Sequence, residues 1–153
     1  ELFHSGQRPA VNVGLSVSRV GGKAQTKAMK SASGTLRIDL AQYREMESFT
    51  QFSSDLDEAT RNTLAYGRGL YQLLKQPLYN PMSVAKQVVL LTAAEARELI
   101  GMSDAEIVTF KAEIMPFLEE YAPEIITEIE TTGKRTDKLR GHIIEMVKQY
   151  RSR

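Results

Sequence analysis

The stretch Ser103-Asp104-Ala105-Glu106-Ile107-Val108-Thr109-Phe110-Lys111-Ala112-Glu113-Ile114-Met115-Pro116-Phe117 decides the fold class. A serine followed three residues later by glutamate is a capping-box pattern: the hydroxyl takes a first-turn N–H and the carboxylate returns to the cap N–H. Asp104 and Glu106 also place negative charge where the helix dipole favours it. Ile107, Phe110, Ile114 and Phe117 then recur at three- and four-residue spacing on one face. The pattern predicts an amphipathic helix whose apolar face must be buried against others. Pro116 and Pro123 are expected to bend or break it, because proline has no N–H to give.

Downstream, Gly133 closes this stretch and Thr136 opens a last helix with Leu139, Ile143, Met146, Val147 and Tyr150 at amphipathic spacing. Upstream, Ser83 caps a helix carrying Val84, Val88 and Leu91, which Gly101 is expected to end near Ile100. Residues 76–82 hold Pro77 and Asn80-Pro81 and read as a loop. Before it, Ser53-Ser54-Asp55 are cap candidates for a helix running to about Lys75, with Asp57 and Glu58 in its first turn.

From Lys23, Leu36, Leu40 and Tyr43 at i, i+4, i+7, with Phe49 nearby, predict one long helix strained near Gly34. Val11 to Val20 alternates valine or leucine with small or polar residues, as a short strand or extended segment would, before Gly21-Gly22. Residues 1–12 read as loop. They open without a start methionine or a capping signal, as a segment of a longer polypeptide would. The expected fold is mainly α: an antiparallel helical bundle with a short extended N-terminal segment.

Composition narrows the function classes. With 42% hydrophobic and 25% charged residues the chain has the balance of a globular domain, so a disordered or fibrous reading is set aside. Lys plus Arg at 20 against Asp plus Glu at 19 leaves no net field to draw nucleic acid or anionic lipid. Cysteine is absent, which excludes disulfides and thiolate metal sites. The longest apolar run, Val88 to Leu91, is too short to span a bilayer.

Most chemical motifs fail on inspection. Gly22-Lys23 invites a phosphate-loop reading, but Val17 and Ala24 stand where that loop needs a glycine and a hydroxyl. ATP hydrolysis by this chain alone is therefore not expected. Gly67 and Gly69 begin a dinucleotide-type pattern that Gln72 breaks. His4 and His142 are too far apart for a helical metal pair, no metal site is expected, and the carboxylate pairs read as solvated helix faces. Arg19 stands out as a long cation on an apolar segment just before a flexible turn.

Two groups of strings then carry a resemblance. Gly14-Leu15-Ser16-Val17-Ser18-Arg19-Val20-Gly21-Gly22 with residues 24–30, and Leu40-Ala41-Gln42-Tyr43-Arg44-Glu45, Gln51-Phe52, Ser54 to Asp57 and Leu73 to Gln76, resemble the alpha subunit of F-type, proton-translocating ATP synthases. The likeness is dense over the first 90 residues and continues as helix pattern beyond Leu91.

The resemblance implies the end of a nucleotide-binding domain over residues 1–22 and the family's C-terminal helical domain over 23–153. It implies a regulatory subunit alternating with beta subunits around the central rotor stalk (gamma). Such a subunit sits peripherally on the cytoplasmic, matrix or stromal face of an energy-transducing membrane. Arg19 matches the family's arginine finger, which reaches a beta-subunit catalytic site in trans, with Ser18 and Val17 positioning it. Phe3, Arg8, Pro9 and Gln76 match residues around the adenine end of a second, non-catalytic nucleotide. Leu78 departs from a glutamine common there. ATP or ADP with Mg is implied in the full complex and no cofactor in the chain alone. The turn Glu95 to Glu106 falls where the family faces its rotor, although Arg97-Glu98-Leu99-Ile100 departs from the usual Gly-Tyr-Leu. The readings weighed against this are a freestanding helical interaction module and a regulatory nucleotide-binding domain.

Overall fold

The computed structural model describes residues 2–4, 6–13, 15–50 and 56–153. It contains eight helices and no strand among them: α1 Arg19–Ala24, α2 Lys27–Ala32, α3 Leu36–Thr50, α4 Glu58–Leu74, α5 Val84–Glu95, α6 Asp104–Tyr121, α7 Pro123–Thr132 and α8 Asp137–Arg151. The expected segment Val11 to Val20 forms no strand among the described residues; it runs through turns until Arg19 enters α1. A lone strand has no ladder partner to satisfy its backbone, and here the Ser18 hydroxyl accepts the Gly21 N–H at 2.9 Å and starts a helix instead.

Helix α5 is the axis of the molecule. Ala85, Val88, Val89, Leu90, Thr92, Ala93 and Ala94 are all buried, and α2, α4, α7 and α8 pack around them. A helix buried nearly all round carries no clean apolar face. That is why Val84, grouped with Val88 by spacing, stands 43% exposed while its neighbour on another face, Val89, is fully buried. The hydroxyl of Thr92 is accommodated by donating to the Val88 carbonyl at 2.7 Å.

Helix α6 lies against α4, α7 and α8, and its predicted face of Ile107, Phe110, Ile114 and Phe117 is buried. The capping box forms: the Ser103 N–H donates to Glu106 at 2.6 Å and the Glu106 N–H donates to Ser103 Oγ at 3.3 Å. Pro116 sits inside α6 on an exposed position without ending it, whereas Pro123 opens α7 at its first turn, where its missing N–H costs nothing. Gly133 ends α7 at φ 61°, and its carbonyl accepts the Ala28 N–H at 2.9 Å, tying α2 to this corner. Helix α8 buries Leu139, Ile143, Met146 and Val147, with Tyr150 partly buried.

Three boundaries differ from expectation. The single long helix after Lys23 is divided into α1, α2 and α3, and Phe49 at its end is 66% exposed rather than core. The cap of α4 is Asp57, which accepts the Thr60 N–H at 2.7 Å; Ser53-Ser54-Asp55 lie outside the described residues. Helix α5 stops at Glu95, six residues short of Gly101, because Arg97 turns to φ 62° with its guanidinium over the Tyr66 ring at 4.6 Å.

Candidate functional site

Two groups of candidate residues draw on the N-terminal segment. Arg19 occupies the first position of α1, and Ser18 is its cap. The arginine is exposed, and its guanidinium makes no ion pair or side-chain hydrogen bond with the described residues. Val17 and Val20 on either side are 73% and 80% exposed, with Leu15 at 79%. Three large aliphatic side chains beside a free guanidinium form a surface that water covers poorly. Ser18, expected as a positioning residue, fixes the local backbone through its bond to Gly21.

The second group meets in a cleft of about 820 Å³ between the N-terminal segment, the α4–α5 loop and α6. Phe3, Arg8, Pro9, Gln76 and Leu78, widely separated in sequence, all line it. The Arg8 guanidinium lies over the Phe3 ring at 4.5 Å from its centre. The Gln76 N–H donates to the Arg8 carbonyl at 2.9 Å, which docks the N-terminal segment on the loop, and Gln76 Nε2 donates to the Asn80 carbonyl at 2.7 Å. Leu78 is 87% exposed on the rim. Apolar walls with a side-chain amide and flat faces suit a planar heteroaromatic base.

Sequence reading missed Lys75, Lys86 and Lys111, which line the same cleft from α4's end, α5 and α6. Lys111 Nζ donates to the Lys75 carbonyl. Burial first, then the neighbouring ammonium groups of Lys86 and Lys75, hold Lys111 below the usual lysine range. No sequence signal could have grouped them, since Lys75 follows α4 while Lys86 and Lys111 lie on α5 and α6.

The carboxylates of the turn 95–106 are engaged within the chain. Glu95 pairs with Arg135 and, at 3.4 Å, with Arg140; Glu98 pairs with Arg151 at 3.2 Å and Lys148 at 3.8 Å; Asp104 pairs with Arg68 at 2.9 Å. Glu106 closes the capping box. Structural use accounts for all four. Among the described residues no group of three or more His, Cys, Asp or Glu could hold a metal, and no helix is long and apolar enough to cross a membrane.

The fold is that of an all-helical domain among the described residues, with Arg19 exposed and a cleft open beside Gln76. Comparison with known proteins gives the family. Residues 25–150 match the ATP synthase alpha/beta chain, C terminal domain, and the chain belongs to that family. It is 50% identical over 154 aligned residues to an ATP synthase subunit alpha of Clostridium kluyveri, covering 98% of this chain and 31% of that protein. With an ATP synthase subunit alpha of Helicobacter pylori the identity is 46% over 151 residues, covering 99% of this chain and 30% of the relative. The chain thus spans about a third of the length of the curated relatives it matches.

Proposed function

We propose that the chain acts as part of the alpha subunit of a proton-driven rotary ATP synthase, and that Arg19 works as an arginine finger in a catalytic site carried mostly by a neighbouring beta subunit. The single observation that carries the reading is Arg19 itself: an exposed guanidinium with no partner among the described residues, on a capped helix start, in a member of this family. The loose transition state of phosphoryl transfer spreads charge over its oxygens, and a planar guanidinium can hydrogen-bond two of them from outside. Ser18 sets the backbone from which the finger leaves, and Val17 with Val20 offers the apolar surface that a partner would cover.

On this reading residues 1–22 close a nucleotide-binding domain and 23–153 form the helical mount. Phe3, Arg8, Pro9 and Gln76 hold the adenine end of a second nucleotide, with Leu78 leaving the base fewer polar contacts than a glutamine would. ATP or ADP with Mg, the beta subunit and the rotor stalk belong to the assembled complex, which sits peripherally on its membrane. The chain alone turns over no ATP, because the phosphate-loop pattern fails at Val17 and Ala24.

The test compares ground state with transition state. In the assembled complex, Arg19→Ala should weaken binding of MgADP–fluoroaluminate, a phosphoryl-transfer analogue, by about 10³-fold or more, while MgATP binding changes by about tenfold or less. Equal weakening of both would make Arg19 an ordinary binding residue, and no weakening would remove it from the site.

A further inference from the structure

The connection between α7 and α8 grips both ends of α2. At one end the Ala28 N–H donates to the Gly133 carbonyl at 2.9 Å. At the other the Arg135 guanidinium donates to Ser31 Oγ, at 2.8 Å from Nη2 and 3.2 Å from Nε, and to the Ser31 carbonyl at 3.0 Å. Arg135 is anchored from behind on α5, donating to Thr92 Oγ1 at 3.0 Å and to the Glu95 carboxylate, with its side chain 3% exposed. Between the two grips Ala28 and Ala32 are buried, so α2 cannot tilt or slide without disturbing close packing. Ahead of it, α1 buries no side chain. Only Gln25 and Thr26 join the two helices, and both are engaged. The Gln25 N–H donates to the Gly21 carbonyl at 3.2 Å, and Thr26 Oγ1 accepts the Met29 N–H at 3.2 Å. With no core contact of its own, α1 takes its direction on this side from α2.

We propose that Arg135 is a positioning residue for Arg19: through Ser31 and α2 it holds the base of the helix from which that guanidinium projects. The inference rests on the finger reading of Arg19 and adds what aims the finger. A group that must meet transition-state oxygens tolerates little misplacement, and a shift of about 1 Å can cost about 10²-fold. A planar fork bonded to Ser31 on one side and α5 on the other fixes direction as well as distance.

The test is a double-mutant cycle in the assembled complex, read as affinity for MgADP–fluoroaluminate relative to that for MgATP. Arg135→Gln should weaken the analogue by about tenfold or more while MgATP changes by about twofold or less. In an Arg19→Ala background the same substitution should change neither, because its effect passes through Arg19. Arg140→Gln, which loosens the same Glu95 carboxylate from α8, should leave the ratio unchanged. Should the Arg135→Gln complex fail to assemble, Ser31→Ala decides: at this exposed position it removes the hydroxyl that Nε and Nη2 share, and it must also lower the ratio only when Arg19 is present. Equal weakening of both ligands, a loss that persists without Arg19, or an equal loss in Arg140→Gln overturns the proposal and leaves Arg135 a purely structural residue. If Arg19→Ala lowers the ratio and neither Arg135→Gln nor Ser31→Ala does, the positioning role alone falls; if Arg19→Ala does not lower it, the finger reading falls first and this inference with it.

Discussion

Arg135 shows how much one side chain can hold. Its side chain is 3% exposed, and its guanidinium bonds Ser31 Oγ and the Ser31 carbonyl at 2.8 and 3.0 Å, Thr92 Oγ1 at 3.0 Å and the Glu95 carboxylate. It thus joins α2, the end of α5 and the entry to α8. Removing one partner of a buried pair leaves the other charge uncompensated, so Arg135→Ala should cost about 3 kcal/mol in urea unfolding. Arg135→Lys should recover only a small part, because an ammonium cannot span three acceptor groups that a planar fork reaches. A loss under about 1 kcal/mol would show that the network is ornamental. Gly67 is the opposite case, where absence of a side chain is the requirement. An added Cβ would lie 2.2 Å from Tyr43 Cδ2 and 2.4 Å from Tyr43 Cβ, and the latter cannot swing aside. Gly67→Ala should therefore destabilise by about 2–3 kcal/mol through overpacking, outweighing the ~1 kcal/mol that helix propensity alone would add. In the sequence Gly67 and Gly69 look only like a broken dinucleotide pattern. Their real use, letting α4 approach Tyr43 and Leu99, exists only once the helices are packed.

At the scale of the element, legibility follows how local the cause is. Ser83, the Ser103 and Glu106 pair, Gly133 and Thr136 were readable because a cap bonds its own first turn or ends its own last one. The end of α5 was not, because Arg97 and Glu95 are held by Tyr66 and Arg135, far away in sequence. Nor was the persistence of α6 through Pro116, which depends on that residue facing solvent. Two measurements check the α6 cap. Ser103→Ala should lower stability by about 1 kcal/mol in urea unfolding; no change would mean water replaces the hydroxyl without penalty. The Ser103 N–H and hydroxyl bonded to Glu106 hold this carboxyl below the usual glutamate range. Its folded pKa is lower than its unfolded one, so its contribution is complete above the unfolded value and is lost as pH falls through the folded value. Glu106→Gln should therefore match wild type more closely in acid than at neutral pH, and a difference in melting temperature that stays constant from neutral pH down into the acid range would contradict the capping account.

For the whole molecule, the bundle was legible as a class and its architecture only partly. Apolar spacing gave the faces of α6 and α8, while α5, buried on nearly every side, gave no periodic clue that it is the axis. The N-terminal segment has the alternation of an extended stretch but is turn-rich with a short helix, since six residues containing Gly21-Gly22 and no buried side chain carry too weak a helical signal. The residues lining the cleft lie on separate segments of the chain, and no sequence pattern groups its lysines. What the molecule presents outward is consistent at this scale: the helices bury their apolar faces among themselves, and the segment ahead of them keeps Leu15, Val17 and Val20 uncovered around Arg19. The most direct test of that arrangement is ATP turnover by the complete synthase carrying Arg19→Ala and, separately, Arg19→Lys at saturating MgATP. The account predicts that alanine lowers turnover by about 10³–10⁵-fold and that lysine restores little of it; near-normal rates in either variant would contradict it.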